Sequence, residues 1–212
     1  MRFLLFILNH IPERTIVGFF EFLRKIHKSF YYNSHPSLPI RDDMEDGYIE
    51  NQHRYSHIPY GKSNISYAGC EVIATYNALL SLGEHHYVPF PQILSDYTVD
   101  GMVFNGRFGT SPKAIADYLS AHGSNAVFSI RPNEFSDIIK SCHCAILSYF
   151  NDRNNLKGGI NTICLTKDLN GKIIAHNVHC NGSIMGPFST YSDFLNSIPS
   201  AKAICLTGVF TA

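Results

Sequence analysis

The chain reads as an α+β protein in which helices come first and an antiparallel sheet follows. Three observations predict that class. Apolar residues keep helical spacing in the segments up to Ser120. Short apolar runs bounded by turn formers take over from Ala126 onward. Between two of those runs stands Asn170-Gly171, a strong short-range signal for a hairpin.

Taken in order, the first element is a helix after Pro12, with Ile16, Val17, Phe19, Phe20, Leu23, Ile26 and Phe30 on one face. Phe19, Phe20, Phe22 and Phe30 are expected in the core, not in a ligand-binding stripe. Residues 33–62 are poor in aliphatics and rich in turn formers, which predicts an irregular connector. Glu71 to Leu82 is a helix with Val72, Ile73, Tyr76, Leu79 and Leu80 facing the core and Gly83 as its stop. Ser111-Pro112 opens a helix to Ser120, proline taking the first helical position. Phe135 to Lys140 is a short third. Strands are expected at Ala126–Ile130, Ala145–Phe150, Thr162–Thr166, Lys172–His179 and Ala203–Phe210.

The chain has 212 residues, 45% of them hydrophobic and 13% aromatic, enough for one sizeable core. The expected division is an N-terminal helix and connector over 1–60 and a domain over 61–212. Lys+Arg and Asp+Glu both total 17, so no net charge draws the chain to nucleic acid or to an anionic membrane. No apolar stretch is long enough for a membrane span. Met1 to Leu8 imitates a signal peptide but lacks a small-residue cleavage site, so a cytoplasmic location is expected. The N-terminal helix has three possible roles: packing on the domain, docking on a partner, or covering a groove as a propeptide does.

The cysteines at 70, 142, 144, 164, 180 and 205 are irregularly spaced and read as reduced thiols. Cys142-His143-Cys144 and His176-Asn177-Val178-His179-Cys180 offer soft ligands, but the spacing fits no standard zinc module, and no metal or cofactor is expected. Gly158-Gly159 precedes a strand instead of a helix, which excludes a phosphate loop. His85-His86 reads as a surface loop.

The most informative segment is Ser63-Asn64-Ile65-Ser66-Tyr67-Ala68-Gly69-Cys70-Glu71-Val72. A turn of small residues delivers Cys70 to the first turn of an apolar helix. Unpaired N–H groups and the helix dipole there favour a thiolate. A nearby N–H can hold the oxyanion formed when a thiolate attacks a carbonyl, and the amide of Asn64 can supply a second donor. Gly69 would let a substrate backbone approach closely. An inert, buried cysteine is the plainer reading of such a position taken alone.

The layout resembles the papain-like superfamily, and within it the bacteriocin-processing (double-glycine leader) peptidases and their bacterial relatives. Asn64 stands where the family usually has Gln, six residues before the nucleophile. Ala68-Gly69-Cys70 resembles the nucleophile block, although Glu71-Val72 replaces the family's usual Gly-Pro. Phe108-Gly109-Thr110-Ser111-Pro112 with Ile115, Tyr118-Leu119 and His122-Gly123 is similar to its second helix. The hairpin from Gly158 to Asn177 completes the match, which covers 61–207. The resemblance implies a papain-like fold and a thiol peptidase or acyl transferase acting on a peptide or protein. In it Cys70 is the nucleophile, Asn64 an oxyanion donor, position 161 the base and Asn177 its orienting partner.

One position departs from the pattern. Where the family has its catalytic His, sixteen residues before Asn177, this chain has Asn161. Asparagine cannot accept a proton from a thiol, and loss of a general base costs on the order of a hundred- to ten-thousand-fold in rate. Three explanations stand. Another histidine serves, His179 being better placed than His176 because strand alternation puts it on the face of Asn177. The domain is a pseudopeptidase that keeps its groove for binding. Or position 161 carries an inactivating replacement of a natural His.

Overall fold

A computed structural model of the chain describes residues 13–32, 47–83, 86–154, 159–178 and 182–211. The signal-like N-terminus, the first part of the connector, His85, Gly158, His179 and Cys180 lie outside the described residues. So do the side chains of Ile26 and Phe30.

The class expected from the sequence is present: helices and one mixed-in antiparallel sheet, an α+β arrangement. Five strands were expected and six form the sheet. They are β3 (Asn125–Ser129), β4 (Cys144–Phe150), β5 (Ile160–Lys167), β6 (Ile173–His176), β7 (Met185–Phe188) and β8 (Lys202–Phe210). Their order is β3-β8-β4-β5-β6-β7 and every pairing is antiparallel. A separate two-stranded hairpin joins β1 (Pro59–Tyr60) to β2 (Ser63–Asn64).

Seven helices are described: α1 (Glu13–Tyr32), α2 (Ile65–Ala68), α3 (Cys70–Ser81), α4 (Phe90–Val99), α5 (Pro112–Ala121), α6 (Pro132–Ser141) and α7 (Tyr191–Ser197). Helices α3, α4 and α5 cover one sheet face, where Val72, Ile73, Leu79, Ile93, Ile115 and Leu119 meet Cys144, Ile146, Cys164 and Val209. On the other face Phe135 and Ile139 of α6 and Phe194 of α7 meet Leu147, Ile163, Leu165 and Leu206. With both faces covered, β4 is buried at every residue. Each large aliphatic or Phe side chain so enclosed contributes about 1.5–3 kcal/mol.

Helix α4 and helix α7 were not expected. Thr190 and Asp193 form a reciprocal capping box at the start of α7, a signal present in the sequence. Strand β6 ends at His176 instead of His179, because Asn177 turns left-handed at φ 59. Asparagine tolerates that conformation better than most residues. Its effect is to break the alternation that was to align Asn177 with His179. The Asn170-Gly171 hairpin forms, clasped by Asp168, whose carboxylate accepts the Asn170 and Lys172 N–H groups at 2.8 Å each.

The later part of the expected connector belongs to the packing of the domain. Ile49, Tyr55 and Tyr60 are buried in the same apolar cluster as α3. Asn77, in the middle of α3, bonds both the N–H and the carbonyl of Ile49, at 2.8 and 3.0 Å. A polar side chain poor at forming helix is thus spent on holding a loop.

Helix α1 packs on the domain. Ile16 and Val17 are buried against Phe150, Ile204 and Cys205. Arg24 reaches Asp100 at 3.0 Å and Asp117 at 2.9 Å, and Ser111 bonds Glu21. The face in use is Ile16, Val17, Phe20, Glu21 and Arg24. Phe19 and Phe22 fall off it and are exposed, contrary to their expected place in the core. No helix among the described residues is long and apolar enough to cross a membrane.

Candidate active site

Cys70 is the first residue of α3, as the sequence predicts. The chain reaches it through α2 and Gly69, which ends α2 and caps α3. A Cβ on Gly69 would lie 2.7 Å from the Ile65 carbonyl oxygen. The glycine therefore serves the close turn between two helices, and nothing about a substrate is needed to explain it. Cys70 is 7% exposed.

Asn64 caps α2: its side-chain oxygen accepts the Tyr67 N–H at 3.0 Å. The cap occupies the acceptor end of the amide, and the Nδ2 end is the one an oxyanion would need.

Behind Cys70 lies a buried polar cluster that the sequence reading did not single out. At its centre is Glu71, the residue after Cys70. The Thr110 N–H reaches Glu71 Oε2 at 3.4 Å, and the Thr162 hydroxyl reaches Oε1 at 3.4 Å. Both bonds are long. Thr162 also pairs with Ser148 at 2.9 Å, and Tyr60 bonds the Thr110 hydroxyl. Gly109 has φ 68, and a Cβ there would lie 2.7 Å from Glu71 Oε2. Only glycine fits that loop against the carboxylate.

Glu71 is 4% exposed, and burial pushes its carboxyl up from 4.5 to about 7. Burial likewise pushes the Tyr60 and Tyr97 phenols well up and the Cys205 thiol up to about 12. The signal that could have found Glu71 was in plain view. It is the single charged residue in Cys70–Ser81, a helix buried without a break from Cys70 to Leu79.

Asn161 and Asn177 come together, but not as a pair aimed at Cys70. Asn161 donates to Tyr149 Oη at 3.0 Å and to the Val178 carbonyl at 2.8 Å. It pairs with Tyr149 in register, on the α6–α7 side of the sheet, whereas its neighbour Thr162 faces α3. The expected arrangement, in which residue 161 faces Cys70 across a groove, is corrected on this point by strand alternation.

Asn177 is drawn into a second polar cluster built from the connector. Its Nδ2 donates to Gln52 Oε1 at 3.0 Å, and its N–H to Glu50 Oε2 at 2.7 Å. Gln52 also bonds the Ser66 carbonyl at 3.2 Å, tying the end of β6 to α2. His176 bonds Glu50 Oε1 at 2.5 Å through Nδ1 and the Thr166 hydroxyl at 2.8 Å through Nε2. Tyr48 stacks on its ring at 4.2 Å. Both ring nitrogens of His176 are thereby committed. His179, the other histidine considered as a base, lies outside the described residues.

The described cysteines are all free thiols. Cys142 and Cys144 are buried, and His143 between them bonds the Ser81 carbonyl at 2.8 Å. Among the described residues no group of three or more potential ligands could hold a metal ion.

Comparison with the models of known protein families gives no match, and comparison with curated proteins gives none either.

Proposed function

We propose that the chain is a papain-like protein of cysteine-peptidase type that engages a peptide at Cys70 by thiol chemistry. The observation that carries this reading is the contact between Glu71 and Thr162. It sets the residue after Cys70 against the residue after Asn161, so the helix opened by Cys70 and the hairpin of Asn161 and Asn177 meet at one place. Helix-terminal N–H groups beside a cysteine stabilise its thiolate, and the Asn64 amide nearby offers a donor to an oxyanion.

The test is a short peptidyl chloromethyl ketone followed by intact-mass and peptide mapping. A single adduct at Cys70, formed faster than with a simple haloacetamide and slowed by competing peptide, is the expected result. Adduct spread over other cysteines, or indifferent to the peptide portion, would sink the reading.

A second reading is favoured by the committed amide of Asn161: a non-catalytic pseudopeptidase that binds peptide without turning it over. Under it, peptide protects Cys70 from alkylation while no bond is cleaved.

A further inference from the structure

We infer that α1 is a docking face for an anionic lipid surface, lying among the headgroups with Phe19 and Phe22 inserted while its other side holds the domain. This does not depend on the reading of Cys70.

Helix α1 is laid on the domain the wrong way round for an ordinary layer. A helix packed on a core turns its apolar stripe inward and its charges to water. Here the inward side carries Arg24, which reaches Asp100 at 3.0 Å and Asp117 at 2.9 Å, and Glu21, which takes the Ser111 hydroxyl. Its buried apolar residues are Ile16 and Val17, with Phe20 partly buried. Phe19 and Phe22 point the other way and are 54% and 60% exposed. They stand on neighbouring turns of one face, and spacing by four carries positions 26 and 30 onto it, Ile and Phe in the sequence. Adjacent aromatic rings left in water, on a helix tied down by ion pairs, mark a surface made for a second apolar environment.

Charge names the occupant. The zero net charge of the whole chain hides a division. Residues 1–32 hold Arg2, Arg14, Arg24, Lys25 and Lys28 against Glu13 and Glu21, a net +3, so residues 33–212 hold 12 basic and 15 acidic residues, a net −3. Arg14 and Lys25 are exposed along one rim of the Phe face, and Arg14, Thr15, Gly18, Phe19, Phe22 and Lys25, the exposed residues described in α1, include no acid. The aspartates that meet the helix are already matched, Asp100 by Arg24 and Asp117 by Arg24 and Lys113. Aromatic rings beside cations are what holds an amphipathic helix in the plane of an anionic bilayer surface. An acidic protein would meet the cations equally well. Lipid is favoured by Phe3-Leu4-Leu5-Phe6-Ile7-Leu8, a second apolar stretch only four residues ahead of α1 in the sequence. Neither stretch is a span: that run is too short, and α1 is not apolar enough.

The experiment is sedimentation of the full chain with vesicles of phosphatidylcholine, with and without phosphatidylserine. The chain should pellet with the phosphatidylserine vesicles, about tenfold more weakly with phosphatidylcholine alone, and should be released as salt rises from about 0.1 M to about 1 M. Phe19→Ser with Phe22→Ser should lower partitioning on the order of a hundredfold, and Lys25→Glu on the order of tenfold. The chain has no Trp, so Phe22→Trp supplies a lone fluorophore whose emission should move to shorter wavelength with phosphatidylserine vesicles. That variant decides the matter if the double serine variant loses its native circular dichroism. Failure to pellet with phosphatidylserine, pelleting as strong with phosphatidylcholine alone, or pelleting that survives loss of both Phe rings overturns the inference. So does Phe22→Trp emission that vesicles leave unmoved. Emission already at short wavelength without lipid points to another cover, a second copy if the chain runs as a dimer and residues 3–8 if it runs as a monomer, and either overturns the lipid surface.

Discussion

Two buried polar clusters meet the same sheet, and they are built on opposite principles. Around Glu50 the carboxylate takes the His176 ring at 2.5 Å and the Asn177 N–H at 2.7 Å. Asn177 is bonded on to Gln52, and Gln52 to Ser66. Around Glu71 the partners, the Thr110 N–H and the Thr162 hydroxyl, stand at 3.4 Å. A carboxylate met by short, charge-assisted bonds is a rivet. One that is more deeply buried and only loosely met keeps its proton towards neutrality. The first cluster holds the connector on the domain; the second leaves a carboxyl buried inside it.

Several changes would break or sharpen that contrast. Glu50→Ala should have the largest effect, because it orphans two buried donors at about 2 kcal/mol each. Urea unfolding should report a loss of about 4 kcal/mol, and a loss confined to a few tenths would mean the rivet is ornamental.

Next comes the pH dependence of Glu71. The folded chain holds this proton over a range where the unfolded chain has released it. Its contribution to stability is therefore full below 4.5 and is lost as pH rises through about 7. That rise of its pKa corresponds to about 3 kcal/mol. Glu71→Gln should flatten the slope in unfolding free energy between about pH 5 and about pH 8, while Glu50→Ala leaves it standing.

Gly109→Ala should cost about 2 kcal/mol, from the left-handed backbone and the clash with Glu71. Thermal unfolding would register it. A variant as stable as the native chain would show that the loop is free to move off the carboxylate.

Arg24→Ala should have the smallest effect, about 1 kcal/mol, since its partners Asp100 and Asp117 are partly solvated. Hydrogen exchange should quicken in α1 and leave β4 and β5 unchanged. Faster exchange at β4 would mean that α1 is integral to the core after all.

Much of the fold was legible in local patterns. Proline at the start of α5, the Asn170-Gly171 turn and the run of β4, apolar but for Ser148, each name their own structure. Helix α4 was overlooked although Pro91 sits in its first turn, and α7 although Thr190 and Asp193 cap it. Cys70 at a helix start and Asn64 ahead of it were also legible, because both depend on neighbours close in sequence. The facing of Asn161 was not. It depends on which side of β5 receives α3, a choice made between elements far apart in the chain.

Residue order alone determined the α+β class, the hairpin and the delivery of a cysteine to the head of an apolar helix, since each follows from spacing within a few residues. Tertiary structure decided what surrounds that cysteine. It buried Glu71, brought Thr110 and Thr162 to it, and bound Asn177 to a connector with no regular pattern. Desolvation and hydrogen bonding act through space, and they set the chemistry of a carboxyl that sequence shows only as one charge in a helix.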